Sequence, residues 1–400
     1  MSELAGRRVV HVTTADMSLV LLLGPQLRAF AAAGMDVVGV SAPGPWVEQL
    51  RAWGIGFEPL HHATRSASLG HDVRAVGELV RILRRLRPDI VHTHNPKPGL
   101  YGRVAARLAG VPAVVNTVHG LYATPDDRRA KRAAVYGLER LASTCSQAEL
   151  VQNVEDLDVL RRWRVPERKL VLLGNGIDLS RFGPRRDPAQ VATARGALGV
   201  GPDQVVVGTV SRLVWHKGLR EVFAAAAALR DRRPDIVFCV VGPEDADKAD
   251  ALTPADLDAA RTLGNVVFTG YRDDVEALYA GFDLYVLPSY REGFPRSAME
   301  AAASELPVVA TDIRGCRQVV DDGRSGVLVA LRDAPALAAA VERLADDGAL
   351  RAAMGRAGRA KALAEFDDRH VVARTLDAYR RVLDEGRYSR RRSMAPKYPS

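Results

Sequence analysis

The chain has 400 residues with 56 Lys and Arg against 48 Asp and Glu, a net charge of +8, and is 47% hydrophobic. That length exceeds one hydrophobic core of ordinary size, so two domains are expected. Cys145, Cys239 and Cys316 are scattered and odd in number, which argues against a disulfide framework or a cysteine-ligated zinc and fits a reducing cytoplasm.

Near the N-terminus only Leu19 to Leu23 forms a continuous apolar run, too short for a signal segment or a bilayer span, and strand-like Val9 to Thr13 precedes it. Strand-like and helical stretches then alternate. The pattern predicts strands near 7–13, 36–41, 89–93, 113–118, 148–152 and 169–173, with helices near 20–33, 45–53, 72–86, 98–109, 127–144 and 154–163. Runs such as Ala113-Val114-Val115 are continuous rather than alternating, as in parallel strands buried on both faces. The Pro- and Arg-rich interval 179–203 breaks the series and reads as a linker. A second series follows, with strands near 205–210, 236–241, 266–268, 284–287, 307–310 and 327–329. Its helices are expected near 218–230, 255–261, 273–280, 297–304, 315–321, 334–346 and 350–364. Each series reads as a doubly wound α/β domain, over 1–178 and 204–365. Residues 366–386 have helical spacing, and the basic, Pro-containing 387–400 is expected to be disordered.

The densest chemistry lies in Pro288-Ser289-Tyr290-Arg291-Glu292-Gly293-Phe294-Pro295-Arg296-Ser297-Ala298-Met299-Glu300. This stretch leaves an apolar strand through a Gly/Pro turn and enters an Ala-rich helix. Backbone N–H groups at a helix start, with carboxylates beside them, suit a polar ligand. Ser297-x-x-Glu300 also satisfies a capping box, a purely structural use of the same residues. In Gly208 to Gly218, Arg212 and Lys217 stand beside another helix start, a combination suited to a diphosphate. Gly242-Pro243-Glu244 and the stretch Phe268 to Asp274 end further strands, as does Thr311 to Arg317. In the first series His119 closes one strand, and His92-Thr93-His94-Asn95-Pro96-Lys97-Pro98-Gly99 closes the preceding one. His92 and His94 would share a face of an extended strand and could pair on a metal, but no third ligand is near in sequence, so a structural role is preferred. Asp156-x-Asp158, Asp245-x-Asp247 and Asp256-x-Asp258 match a metal-holding pattern in letters only. They fall on predicted helices or a polar loop and read as solvated surface.

The pair Glu292 and Glu300, with Arg212 and Lys217 upstream, resembles the retaining nucleotide-sugar glycosyltransferases of the family-four type. The likeness covers nearly the whole chain and is strongest from about Ser211 to Gly326. It implies the α/β GT-B architecture: two Rossmann-like domains facing a cleft, with a final helix crossing back to the first. It further implies transfer of a hexose or N-acetylhexosamine from a nucleotide-diphosphate donor, with UDP expected, to a hydroxyl of a glycan or polyprenyl-diphosphate-linked acceptor in cell-surface polysaccharide synthesis. By the same resemblance His119, Arg212, Lys217 and Glu292 serve the transfer centre. Ser211, Gly242, Tyr271, Gly293, Phe294, Pro295, Arg296 and Glu300 hold the donor, Glu300 at the ribose, while Asp16, Ser18, His94 and Lys97 face the acceptor. No cofactor and no metal is implied, because Arg212, Lys217 and helix dipoles meet the charge on the leaving diphosphate. Two features depart from the pattern. Thr14-Ala15-Asp16-Met17-Ser18 lacks a Gly-Gly pair common in relatives, and Gln318 stands where bacterial surface-polysaccharide transferases carry Glu.

Fold does not fix function, so a nucleotide-sugar epimerase or a glycan phosphorylase of the same architecture stays open. A basic nucleic-acid-binding protein with a vestigial nucleotide pocket is the reading outside enzymes. Arg81, Arg84, Arg85 and Arg87, and Arg128, Arg129, Lys131, Arg132 and Arg140, form stripes that attract polyanions or anionic lipid. Neither aromatic interleaving nor a nucleic-acid-binding motif accompanies them, which disfavours nucleic acid. The helix expected at 72–87 sets Val73, Val76, Leu79, Val80 and Leu83 among its arginines. That arrangement suits salt-reversible contact with the inner face of a membrane or, equally, packing of the apolar positions on a sheet.

Overall fold

Runs of β-branched residues build two all-parallel sheets, each buried on both faces. The computed structural model describes residues 3–64, 69–94, 97–125, 127–184, 187–245 and 248–394, with backbone alone at 69 and 386–394. The chain divides into two units, Met1–Gly174 with Asp368–Ser400, and Asn175–Asp367.

The first unit runs β1 (Arg8–Ala15), α1 (Gly24–Ala32), β2 (Asp36–Ala42), α2 (Val47–Ala52), β3 (Gly56–Pro59), α3 (Leu69–Leu86), β4 (Ile90–His94), α4 (Lys97–Leu108), β5 (Ala113–Val118), α5 (Arg129–Ala142), β6 (Ala148–Val151), α6 (Val154–Arg162) and β7 (Leu170–Leu172). The strand order is β3-β2-β1-β4-β5-β6-β7. It reverses direction between β1 and β4, where His11 pairs in register with His92. One face of the sheet packs Leu27 and Phe30 against Val371, Ala378, Tyr379 and Val382 of the C-terminal helix. The other packs Leu79 and Leu83 of α3 with Tyr101 and Ala105 of α4. Packing on the sheet is thus what α3 does with its apolar side: Ala75, Leu79, Ile82 and Leu83 are buried, while Arg81, Arg84 and Arg85 stay exposed. Arg103 of α4 is buried outright, its guanidinium 2.9 Å from Glu149 and 2.6 Å from Glu139. Asn116 donates to the second oxygen of Glu149 at 2.9 Å.

The second unit runs α7 (Pro188–Leu198), β8 (Val205–Val210), α8 (Leu219–Leu229), β9 (Ile236–Val241), α9 (Pro254–Arg261), β10 (Val266–Gly270), α10 (Val275–Leu278), β11 (Leu284–Leu287), α11 (Arg296–Ala303), β12 (Val308–Thr311), α12 (Arg314–Arg317), β13 (Gly326–Val329), α13 (Ala334–Asp346) and α14 (Gly348–Glu365). Its sheet is ordered β10-β9-β8-β11-β12-β13, so the reversal falls between β8 and β11. In open α/β sheets the carboxyl ends of the strands at such a reversal form the ligand crevice. The last helix, α15 (Asp368–Met394), belongs to the first unit, as the expected crossing-back requires.

Three expectations need revision. The interval 179–203 is no bare linker: Asp187 caps α7 by accepting from Ala189 N–H, Gly199 ends it at φ +71°, and Ala194 and Leu198 are buried in the second unit. The edge strand β3 was not anticipated, because Gly-Phe-Glu-Pro contains no apolar run. Residues 387–394, expected to be disordered, continue α15, and 395–400 lie outside the described residues. Among the described residues no helix is long and apolar enough to cross a membrane.

Candidate functional site

At the reversal point of the second sheet, two loops are drawn together by glycines. Gly218 adopts φ +77° and a Cβ there would lie 2.0 Å from the Pro288 carbonyl oxygen, so only glycine lets the loop after β8 meet the loop after β11. Tyr290 N–H donates to the His216 carbonyl at 2.9 Å, and Thr311 Oγ donates to the Ser289 carbonyl at 2.5 Å. Gly315 of α12 closes the arrangement from below, since a Cβ there would stand 2.5 Å from the Glu292 carbonyl.

This scaffold joins two residues 75 positions apart. Lys217 Nζ lies 2.6 Å from Glu292 Oε1, with the two side chains 19% and 12% exposed. Arg212 pairs with Asp245 in the loop after β9, and Asp247 lies outside the described residues. His216 donates through Nδ1–H to the Asp250 carboxylate at 2.5 Å. Burial pushes the His216 imidazole below its ordinary value, against the pull of that carboxylate. Gly242, at φ +149°, allows the end of β9 to press on the Ser211 carbonyl, which a Cβ would meet at 1.9 Å. Tyr271 is half exposed beyond β10.

Helix α11 starts at Arg296 with Pro295 as its cap and without a side-chain cap. The capping-box use of Ser297 and Glu300 is therefore not realised. Glu300 instead accepts from the Tyr279 hydroxyl at 3.0 Å, and burial raises its carboxyl above the usual range against the pull of Arg296 and Tyr279. Phe294 packs edge-on against Phe366, and its carbonyl accepts from Asn175 Nδ2 at 2.9 Å, which fixes the Gly293-Phe294-Pro295 turn. A Lys ammonium, a paired carboxylate and the start of a helix thus share one strand edge, which can hold an anionic, hydroxyl-rich ligand. Tyr279 and Asn175 were missed by sequence reasoning, since each acts through tertiary contact alone, whereas Thr311 and Gly315 lie in the stretch Thr311 to Arg317 that the sequence singles out.

In the first unit His119 Nε2 lies 2.9 Å from His94 Nδ1, and His94 Nε2 lies 3.1 Å from His11 Nδ1. Tyr379 Oη lies 3.4 Å from His11 Nε2 and 2.6 Å from His92 Nδ1, whose Nε2 reaches Thr117 Oγ at 2.7 Å. The third histidine that the sequence did not supply is His11, and His11, His92 and His94 lie close enough for one metal ion. All six of their ring nitrogens nevertheless already have hydrogen-bond partners, which makes the cluster a hydrogen-bonded network. Burial lowers the imidazole pKa of His11 to about 3 and of His119 to about 4, and places His92 and His94 well below the ordinary value. Unfolded histidines titrate near 6.5. Between that value and the folded values the unfolded chain binds more protons, so stability is full above pH 6.5 and falls as the pH drops. The unfolding free energy from denaturant titrations at pH 7, 6 and 5 should decline, with a slope that approaches about 1.4 kcal/mol per pH unit for each histidine kept neutral once the pH is well below 6.5. A flat profile over that range would contradict the burial of these rings.

The residues expected on the acceptor side also serve the fold. Both oxygens of Asp16 accept backbone N–H groups, from Met17 and Trp46 at 2.8 Å each, so this buried carboxylate locks a loop. Lys97 Nζ pairs with Asp72 at 2.6 Å and donates to the Thr64 carbonyl, so it ties α4 to α3. His94 is 3% exposed and turned inward, while Ser18 opens a short π-helical turn. Asn95 and Pro96 of the same loop lie outside the described residues. Of the Asp-x-Asp pairs, Asp156 is not solvated surface: it is buried and accepts from Leu121 N–H and Asn153. Asp256 forms a capping box with Thr253.

The family Glycosyltransferase Family 4 matches residues 26–181, and the family Glycosyl transferases group 1 matches residues 191–361. The chain is 32% identical over 293 residues to the UDP-Gal:alpha-D-GlcNAc-diphosphoundecaprenol alpha-1,3-galactosyltransferase of Escherichia coli, covering 72% of this chain and 74% of that one. It is 33% identical over 311 residues to the D-inositol 3-phosphate glycosyltransferase of Salinispora arenicola, covering 73% and 68%. In fold it is similar to the sucrose-phosphate synthase of Thermosynechococcus elongatus, with a TM-score of 0.78 at 21% identity over 95% of this chain and 100% of that one. With two parallel doubly wound sheets and matches along both halves, the chain belongs to the group 1 and family 4 glycosyltransferases of GT-B fold.

Proposed function

We propose that this glycosyltransferase moves a hexose or N-acetylhexosamine, with retention of configuration, from a UDP-sugar to a hydroxyl of a phosphate-bearing acceptor, the lipid-linked diphosphate of a growing surface glycan. The observation that carries the reading is the Lys217–Glu292 pair at the reversal of the second sheet, beside the start of α11. Lys217 and Arg212 stabilise the leaving diphosphate, Glu292 and the Gly293–Pro295 turn orient the sugar, and Glu300 meets the ribose. The bond from the anomeric carbon to the diphosphate breaks, a bond to the acceptor oxygen forms on the same face, and the acceptor proton leaves with the diphosphate. Electrostatics and positioning supply the rate, without a protein nucleophile or a metal. The galactosyltransferase relative supports UDP and the lipid-linked acceptor.

A second acceptor class rests on a specific observation, the comparable identity to an inositol-phosphate glycosyltransferase. Thermal melting against UDP-, GDP- and ADP-sugars tests the donor. The matching donor at a hundredfold excess over Kd should stabilise by about 2.7 kcal/mol, a shift of several degrees. Transfer assays in EDTA with a diphosphate-linked N-acetylhexosamine lipid and with inositol 3-phosphate then separate the acceptors, and the anomer formed reports the stereochemistry. No shift with any UDP-sugar would remove the UDP assignment, and release of an epimerised sugar without acceptor would favour an epimerase.

A further inference from the structure

Glu300 stands in the second turn of α11 with two arginines in electrostatic reach, Arg296 one turn earlier and Arg181 ahead of α7. Either cation would draw the carboxylate away from a ligand. Arg181 is taken up by Glu276 of α10 at 2.6 Å, however, and among the described residues no ion pair claims Glu300. What holds Glu300 is Tyr279, which follows α10 and is 1% exposed. Its hydroxyl reaches Glu300 Oε2 at 3.0 Å. Oε1 of the same carboxylate has no hydrogen-bond partner among the described residues, and Glu300 itself is only partly covered.

Tyr279 Oη also lies 3.0 Å from the Ser297 carbonyl, so one phenol proton faces two acceptors. A charge-assisted hydrogen bond is roughly twice as strong as a neutral one, which gives the proton to Glu300 while that group is ionised. Burial keeps the phenol protonated far beyond its ordinary range, so Tyr279 is always a donor. Its ring is wedged among Phe182, Phe282 and Tyr285, with centroids 5.7, 5.7 and 5.9 Å away, which makes the hydroxyl a rigid anchor. A glutamate held in one rotamer before the ligand arrives loses no further freedom on binding. We propose that Tyr279 is a positioning residue: it fixes Glu300 by Oε2 and presents Oε1 to a ligand diol, so that the second unit selects a ribonucleotide over its deoxy analogues. The ligand in this inference rests on the proposed place of Glu300 at the donor ribose.

Calorimetric titration of the full chain with UDP and with 2′,3′-dideoxy-UDP tests it. Wild type should bind UDP roughly ten- to hundredfold more tightly, the range of a hydrogen bond to a charged group. Tyr279→Phe keeps the three ring contacts and removes only the hydroxyl, and urea denaturation verifies that it folds. It should weaken UDP roughly tenfold, leave 2′,3′-dideoxy-UDP unchanged, and act on donor KM rather than on kcat. The pH dependence gives a second readout that ring packing alone would not move. Arg296 of α11, Arg181, Glu276 of α10, Tyr279 and Tyr285 of β11 all face Glu300 and stay in place in these variants apart from the hydroxyl under test. Because the Tyr279 hydrogen bond favours the ionised carboxylate, the pH below which the preference for UDP fades should rise in Tyr279→Phe. It should fall when 3-fluorotyrosine, a more acidic donor of the same shape, replaces Tyr279. A preference and a midpoint unmoved by both replacements would overturn the positioning role. Equal binding of the two nucleotides by wild type would instead overturn the ribose reading beneath it, and that failure is visible without any variant.

Discussion

Replacing Lys217 with Ala is expected to lower the turnover of sugar transfer by about 10²–10³-fold, the range seen when one preorganised electrostatic donor is lost. The ammonium is fixed 2.6 Å from Glu292 on loops that Gly218 and Gly315 hold in contact, so no reorganisation is needed when charge develops on the leaving diphosphate. The loss should appear in kcat, because the interaction is strongest once the diphosphate separates. Glu292→Ala should also lose transfer, since it removes the carboxylate to which the proposed function assigns the sugar hydroxyls. Both residues line the strand edge rather than the core, so circular dichroism and the melting profile should keep a folded protein. Wild-type turnover in Lys217→Ala would sink the role given to the pair.

The largest expected effect on stability lies in the other unit. Arg103 is fully buried between Glu139 and Glu149, and Glu149 also accepts from Ser146 and Asn116. Burial already pushes Glu139 above the ordinary carboxylate range, with Arg103 pulling it down. Arg103→Ala would leave two neighbouring buried carboxylates without their cation, a change that typically costs about 3–5 kcal/mol. Urea denaturation at pH 7 measures it. Arg103→Met combined with Glu139→Gln and Glu149→Gln should recover much of the loss, because the penalty comes from uncompensated charge rather than missing volume. A single variant as stable as wild type would show that the three groups do not depend on one another.

Much of this architecture is readable in the residues themselves. Central strands such as Val205–Val210 and Ile236–Val241 are apolar on both faces and declare themselves as runs. The edge strand β3 does not, because it is only half covered. Helix α7 carries ordinary start and stop signals in Asp187, Pro188 and Gly199, but the arginines and prolines before it make the segment read as a spacer. At the candidate site the order of Arg212, Lys217, Glu292 and Glu300 is a matter of sequence, whereas the closure of Lys217 on Glu292 depends on strand order. The sequence also does not show what Asp16 and Lys97 do for the fold: a polar side chain at a strand or helix end serves the backbone as readily as a ligand. The histidine network lay hidden because His11 stands 83 residues from His94, and only the pairing of β1 with β4 brings them to one face.

The placement of α15 has a consequence for biosynthesis. The first unit is completed by residues beyond 368, which follow the entire second unit in the chain. While the protein is being made, the apolar surface around Leu27 and Phe30 of α1 therefore waits for Tyr379 and Val382 to leave the ribosome. The second unit, contiguous from Asn175 to Asp367, can fold during that interval. A chain truncated and released near residue 367 would consequently pair a complete second unit with an incompletely covered first one. In the cell such a product is a natural client for chaperones, and the final helix acts as the seal that ends its exposure.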